Sequence, residues 1–126
     1  MKSTFKAALL FLLVVSTNAS GKELVREFKG DSNMITAAFT VESPWILDWY
    51  LFGDYEQLVA LSVQLVDANT GYTVGEVLNT KAKGNGIRLF RQGGKFQLRI
   101  SSTLARWGMK VEQLTEEEAE LYTPRR

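Results

Sequence analysis

The feature that most constrains the fold is an alternating stretch from Pro44 to Leu51, which reads Pro-Trp-Ile-Leu-Asp-Trp-Tyr-Leu. Every second side chain in it is large and apolar: Trp45, Leu47, Trp49 and Leu51. A period of two places these side chains on one face of a β-strand. Because each large aromatic side chain buries roughly 150–250 Å², that face is predicted to lie at the centre of a core. Pro44 has no N–H to donate to a neighbouring strand and suits the first position of this one.

The first 21 residues are predicted to be a secretory signal peptide that is not part of the domain. Lys2 and Lys6 form a basic start, residues 7–15 are an unbroken apolar run, and residues 16–21 are small or polar. The alternative, a membrane anchor, needs an apolar run of about 20 residues, and this run is shorter. We therefore expect cleavage after residues 19–21 and export to the periplasm or the medium.

The composition of the remaining chain argues against several classes of function. Without Lys2 and Lys6 the chain has 13 basic and 14 acidic side chains, whereas a general nucleic-acid binder has a basic excess. It has no cysteine and no histidine, so it lacks disulfides, the commonest general base and the usual zinc ligands. We expect no enzyme, metal or cofactor, and a fold that depends on its apolar core.

Two acidic patterns have simpler explanations than metal binding or catalysis. The run from Asp67 to Gly71 places oxygen ligands at alternate positions, as calcium loops do, but a hairpin turn also explains its Asp, Asn and Gly. Asp48, Asp54 and Glu56 lie close in sequence, yet a glycosidase needs two carboxylates that face each other across a cleft. A domain of about 105 residues has little room for such a cleft.

Further alternating runs predict an all-β fold, an antiparallel β-sandwich of seven to eight short strands, with a small barrel as the alternative. Besides the tryptophan strand, the predicted strands are residues 22–30, 34–41, 58–66, 72–79, 87–91, 95–100 and 107–111. The last two are expected to pair as a hairpin. Thr115 followed by Glu118 is a capping-box pattern. It predicts a short acidic helical turn or tail over residues 115–126, after a sandwich domain of residues 22–114.

Several pieces of the chain resemble small exported bacterial all-β modules of unassigned function. They are Phe28-Lys-Gly30, Thr36-Ala-Ala-Phe39-Thr-Val41, Pro44-Trp45-Ile-Leu47-Asp-Trp49, Val63-Gln-Leu65-Val-Asp67, Gly94-Lys-Phe96-Gln-Leu98-Arg-Ile100 and Trp107-Gly-Met109-Lys-Val111-Glu112. The layout is also similar to that of the β-sandwich accessory domains that follow secreted peptidases and glycan-active enzymes. The resemblance implies a fold and an exported location, and it brings no activity that transfers residue by residue.

Basic side chains concentrate between residues 81 and 110 and suggest a binding surface. If residues 95–100 and 107–111 pair, Arg99 and Lys110 point outward from neighbouring strands, and Arg88 is out of phase with its apolar neighbours. Such a positive face attracts anionic partners. A solvated face that protects edge strands is the simpler explanation, and the acidic segment 116–120 is an alternative cover for it.

The sequence therefore predicts a non-catalytic exported binding module that recognises an envelope macromolecule, namely a polyanionic glycan, a lipid headgroup or an acidic protein. Its candidate contacts are Arg88, Arg99 and Lys110, with Tyr50 as a further contact, and no nucleic-acid partner is expected. One alternative is a structural or assembly protein of the envelope that adds a partner's strand to an exposed sheet edge. Another is an inhibitor of a secreted hydrolase that acts through the loop of residues 81–86.

Overall fold

The computed structural model describes residues 22–55 and 57–123, so the predicted signal peptide lies outside the described residues. The described residues form nine strands, a one-turn helix and a 3₁₀ turn. They are β1 (Glu23–Gly30), β2 (Met34–Ile35), β3 (Phe39–Val41), β4 (Trp45–Phe52), β5 (Ala60–Asp67), β6 (Thr73–Thr80), β7 (Gly84–Phe90), β8 (Gly94–Thr103), β9 (Arg106–Gln113), α1 (Glu116–Ala119) and the 3₁₀ turn Glu120–Tyr122.

The strands form two antiparallel sheets that enclose the core. The four-stranded sheet has the order β1-β9-β4-β7, and the five-stranded sheet has the order β2-β8-β5-β6, with β3 also paired to β8. The predicted all-β sandwich is therefore confirmed. No helix of the described residues is both long enough and apolar enough to cross a membrane.

Two tryptophans occupy the centre of the core. Trp45 and Trp107 are 0% and 1% exposed, so the prediction that Trp45 lies in the core is confirmed. The indole N–H of Trp45 donates to the carbonyl of Gln92 at 2.9 Å, and that of Trp107 donates to the carbonyl of Ser32 at 3.1 Å. Each ring is therefore buried without leaving its one polar group unsatisfied.

Three aromatic rings lie across glycines that are their direct partners on neighbouring strands. They are Trp107 over Gly30, Trp49 over Gly86, and Tyr50 over Gly108. A Cβ added to these glycines would approach the ring atoms to 2.7, 2.8 and 2.2 Å, respectively. Glycine is needed at these positions because any side chain would displace the ring. Trp49 packs against the core from its position over the edge strand β7 and is half-buried, whereas the sequence predicted it at the centre of the core with Trp45.

The prediction that the last two strands, β8 and β9, pair as a hairpin is wrong. β8 pairs with β2, β3 and β5 in the five-stranded sheet, whereas β9 lies between β1 and β4 in the other sheet. The chain crosses between the sheets at Leu104 and Ala105, and Leu104 adopts a φ of 49°. This left-handed conformation is uncommon for a bulky apolar residue. Alternation of side chains identifies the faces of a strand but not the sheet that the strand joins.

The predicted strand of residues 34–41 is interrupted between β2 and β3. The hydroxyl of Thr36, a buried residue, accepts a hydrogen bond from the N–H of Leu98 at 3.0 Å and donates to the carbonyl of Ala37 at 3.0 Å. A side chain thus takes part in the pairing where the strand breaks. As a result, Ile35 does not share the buried face of Phe39 as its phase predicted, and it is 63% exposed.

β-Bulges interrupt two edge strands. One extra residue stands opposite the partner strand at Val25 in β1, and the same occurs at Val74 and Val77 in β6. The bulge changes the phase of β6, so that Val77 is buried and Val74 is exposed. Uninterrupted alternation over the predicted strand of residues 72–79 would place Val74 and Leu78 on one face, because a period of two contains no signal for an inserted residue.

The acidic C-terminal segment packs on the outer face of the four-stranded sheet. The predicted capping box is confirmed, because Thr115 and Glu118 exchange side-chain to backbone hydrogen bonds. Ala119 and Leu114 form a small apolar cluster with Ile46, whose side chain points away from the main core. A helix this short is not stable alone, so it depends on the packing against Ile46 as well as on its cap.

Lys22 lies beside this C-terminal segment. Its Nζ is 5.9 Å from the centroid of the Tyr122 ring and 3.7 Å from Oε1 of Glu112. The neighbouring Tyr122 and, less strongly, the Glu112 carboxylate raise the pKa of Lys22 above its usual value, and partial burial opposes them. The two ends of the described domain are therefore neighbours at this end of the sandwich.

Candidate binding surface

The four predicted contact residues lie in three different places. Arg99 is on the outer face of the five-stranded sheet, and Arg88 is at the edge where the two sheets approach each other. Lys110 and Tyr50 are on the outer face of the four-stranded sheet. The expected single positive face with Arg99 beside Lys110 is therefore wrong, since β8 and β9 belong to different sheets.

Arg88 uses its guanidinium within the fold. Its Nη1 donates to the carbonyl oxygens of Glu76 at 2.9 Å and Val77 at 2.7 Å, both at a bulge of β6. The guanidinium carbon is also 5.4 Å from the centroid of the Phe90 ring. Because β6 and β7 belong to different sheets, Arg88 connects the two sheets at this edge.

Arg99 is likewise held by neighbours on its own sheet. Its Nη1 donates to Oε1 of Gln64 at 3.0 Å and to Oγ1 of Thr73 at 3.1 Å. These partners lie on β5 and β6, so the half-buried side chain extends across three strands. Such cross-strand contacts stabilise a sheet and leave fewer donors for a ligand.

Tyr50 and Lys110 are the two predicted contacts that the structure brings together. The strand registers place their side chains in two adjacent rows across the outer face of the four-stranded sheet. One row consists of Glu27, Lys110 and Asp48, and the next consists of Lys29, Gly108 and Tyr50. The missing side chain of Gly108 leaves space that the Tyr50 ring occupies.

A shallow depression lies on each side of the Tyr50 ring. One has a volume of about 240 Å³ and extends towards Lys110 and Asp48. The other has a volume of about 400 Å³ and extends towards Arg106. Tyr50 and Lys29 line both depressions, so an aromatic ring lies between positive side chains on this face.

Two of the three cations at this site are paired with carboxylates. Lys29 Nζ is 3.6 Å from Oε2 of Glu27, and Arg106 Nη2 is 3.7 Å from Oδ1 of Asp54. Within the described ranges 22–55 and 57–123, the exposed Lys110 forms no ion pair. Lys110 is therefore the cation of this face most available to an anionic ligand.

The exposed aromatic area continues beyond Tyr50. The ring centroid of Phe52 is 5.2 Å from that of Tyr50, and Phe52 is 54% exposed. Tyr55 and Leu104 are also exposed and line a neighbouring depression of about 250 Å³. We call the surface formed by these residues the Tyr50 surface: Lys29, Tyr50, Phe52, Arg106 and Lys110.

Sequence reasoning missed Lys29 and Arg106 as members of this surface. Both lie on strands whose neighbours depend on sheet order, which the chain does not reveal locally. The available signal was Gly108, which stands between Trp107 and Met109 inside a strand. A glycine in a strand interior often marks the close approach of another group, here the Tyr50 ring.

By its fold and composition, this protein is a cysteine-free all-β sandwich. No known protein-family model matches the chain, and no curated protein matches it. The part of the chain that the structure describes has no group of three or more His, Cys, Asp or Glu side chains arranged to hold a metal ion.

Proposed function

We propose that this chain is an exported, non-catalytic binding module whose Tyr50 surface binds an acidic glycan of the cell envelope. The observation that supports this function is the pair of half-buried Tyr50 and exposed Phe52 beside Lys110, which forms no ion pair with the described residues. The C–H groups of a sugar ring pack against the electron-rich face of an aromatic ring. An ammonium group beside that ring donates charge-assisted hydrogen bonds to a sugar carboxylate. The proposal of export rests on the pattern of residues 1–21.

The mixture of charges favours a glycan over the other two predicted ligands. Glu27 and Asp48 lie in the same row as Lys110. An anionic bilayer or a strongly acidic protein attracts a surface of one positive sign, and these carboxylates oppose that attraction. Sugar hydroxyl groups both donate and accept hydrogen bonds, so they can use ammonium and carboxylate groups side by side.

The proposal is tested by measuring binding of the purified chain without residues 1–21 to a soluble polyuronate, with neutral dextran as the comparison ligand. Tyr50→Ala and Lys110→Gln are each expected to weaken polyuronate binding by about tenfold, which corresponds to about 1.4 kcal/mol. Tyr72→Ala and Lys95→Gln are matched controls, because both residues are exposed and lie off the Tyr50 surface. We expect both controls to bind as the parent chain does.

Three outcomes would contradict the proposal. One is a failure of the parent chain to bind polyuronate. Another is an equal loss of binding in the control variants, which would indicate attraction by charge without a site. The third is binding to vesicles of anionic lipid with no binding to polyuronate, which would replace the glycan by a lipid headgroup.

A further inference from the structure

The two sheets end in four outer edges, and these edges differ in how they are protected. They are β1 and β7 in the four-stranded sheet, and β6 and the β2–β3 pair in the five-stranded sheet. An edge strand has backbone N–H and C=O groups that another strand can pair with. Proteins prevent such pairing by bulges, charged side chains or very short edge strands.

Three of the four edges carry these devices. β1 has the bulge at Val25 and a run of charged side chains. β6 has the bulges at Val74 and Val77, and Arg88 occupies carbonyl groups there. β2 and β3 are two and three residues long, and residues 36–38 separate them.

The fourth edge, β7, has no bulge and is seven residues long, and its one charged residue, Arg88, is bonded to carbonyl groups of β6. Its seven residues pair with β4 in continuous register without a bulge. Residues 84–87 have no charged side chain, and Ile87 is 47% exposed on the outer face of the sheet. β7 is therefore the edge most open to pairing with another strand.

We propose that β7 pairs antiparallel with β7 of a second copy of this chain. A two-fold axis at Ile87 places the two isoleucines directly opposite each other and sets Arg88 against Gly86. An apolar cross-strand pair then forms at the centre, and no two like charges are opposed. A second copy is chosen as the partner because the same seven residues supply both strands of this two-fold contact, with Arg88 of each copy opposite Gly86 of the other.

The pairing joins two four-stranded sheets into one of eight strands. Edge pairing of strands this short buries less than the roughly 1,600 Å² of a standard stable interface, so a weak dimer is expected. The axis is perpendicular to the sheet, and both Tyr50 surfaces then face the same side. The two β4 strands are three strand spacings apart, about 14 Å. If the proposed function holds, the dimer binds a polymer through two linked sites, but the pairing itself does not depend on that function.

Because the chain has no cysteine, a single introduced thiol reports the pairing. Residues directly opposite on antiparallel strands have Cα atoms about 4.5–5.5 Å apart, within the range of a disulfide. We expect Ile87→Cys to form a disulfide-linked dimer under mild oxidation. Val74→Cys, at an exposed position on the bulged edge β6, is the matched control and should remain largely monomeric.

Sedimentation velocity over a range of concentrations gives a second measurement. The chain without residues 1–21 should show a shift towards dimer that Ile87→Lys abolishes and Val74→Lys leaves unchanged, because lysine at the axis sets like charges opposite each other. Far-UV circular dichroism checks that both variants fold. A parent chain that stays monomeric and does not crosslink through Ile87→Cys overturns the proposal. Equal crosslinking by the two cysteine variants, or dissociation only by Val74→Lys, also overturns it.

Discussion

Replacing Gly30 with alanine should destabilise the domain, because the new methyl group meets the indole of Trp107. The added Cβ would lie 2.7 Å from Cζ2 and 3.2 Å from Cε2 of that ring. Trp107 is 1% exposed, and its indole N–H is bonded to the carbonyl of Ser32. The ring cannot move away from the new methyl group without disturbing the core or this hydrogen bond.

The expected magnitude follows from opposing contributions. Extra volume in a close-packed core costs about 1–3 kcal/mol. A buried indole N–H that loses its partner adds about 1–3 kcal/mol. Alanine also restricts the unfolded chain, which offsets about 0.4–1 kcal/mol. Taking the middle of each range, we expect Gly30→Ala to lower the free energy of unfolding by about 3 kcal/mol.

The assay is urea unfolding followed by tryptophan fluorescence, with Gly75→Ala as the matched control. Gly75 also lies in an edge strand, but a Cβ there meets nothing within 4 Å. The control should therefore be neutral or stabilising by up to about 1 kcal/mol. If Gly30→Ala and Gly75→Ala have the same free energy of unfolding, the reasoning that Trp107 is fixed over Gly30 is refuted.

Three further substitutions test other contacts. Thr36→Val leaves the buried N–H of Leu98 without its acceptor and should lower the free energy of unfolding by about 1–3 kcal/mol in the same urea assay; an unchanged value would show that the hydroxyl is not needed at the strand break. Arg88→Met should lower the free energy of unfolding by about 1.5 kcal/mol, the lower end of the range for hydrogen bonds of charged groups, because the side chain is exposed. A free energy of unfolding equal to that of Lys95→Met would contradict the role of Arg88 between the sheets. Thr115→Ala removes the helix cap and should cost about 1 kcal/mol, with faster amide exchange at Ala119; unchanged exchange there would show that packing on Ile46 holds the helix without the cap.

The existence of the strands could be predicted from the sequence because alternation is a local property. Trp45 and Leu51 share a face whatever lies beside them, and both are buried as expected. Strand partners are not local, and the short connection at Leu104 looks like a hairpin although the chain changes sheets there. The alternation of side chains does not indicate β-bulges either, and Val77 is buried in the core because one residue is inserted in β6.

The same distinction explains how far the candidate site could be predicted. Tyr50 and Lys110 lie on one face because their own strands have the expected phase. The partners of Arg88 and Arg99 lie on strands that are distant in the chain. Local patterns therefore do not predict that neutral groups within the fold hold both guanidiniums. Lys29 joins the site only because β1 pairs with β9.

Because Lys22 lies close to Tyr122, attachment through either end of the described domain would orient the domain in the same way. Ile46 marks the end of β4 where the C-terminal segment packs, and Phe52 lies at the opposite end of that strand. At about 3.4 Å per residue, six positions separate the two ends by roughly 20 Å. A linker or solid support attached at either end of the domain would therefore lie at the Ile46 end of the sandwich. In both cases the exposed aromatic rings at the Phe52 end would point away from the support.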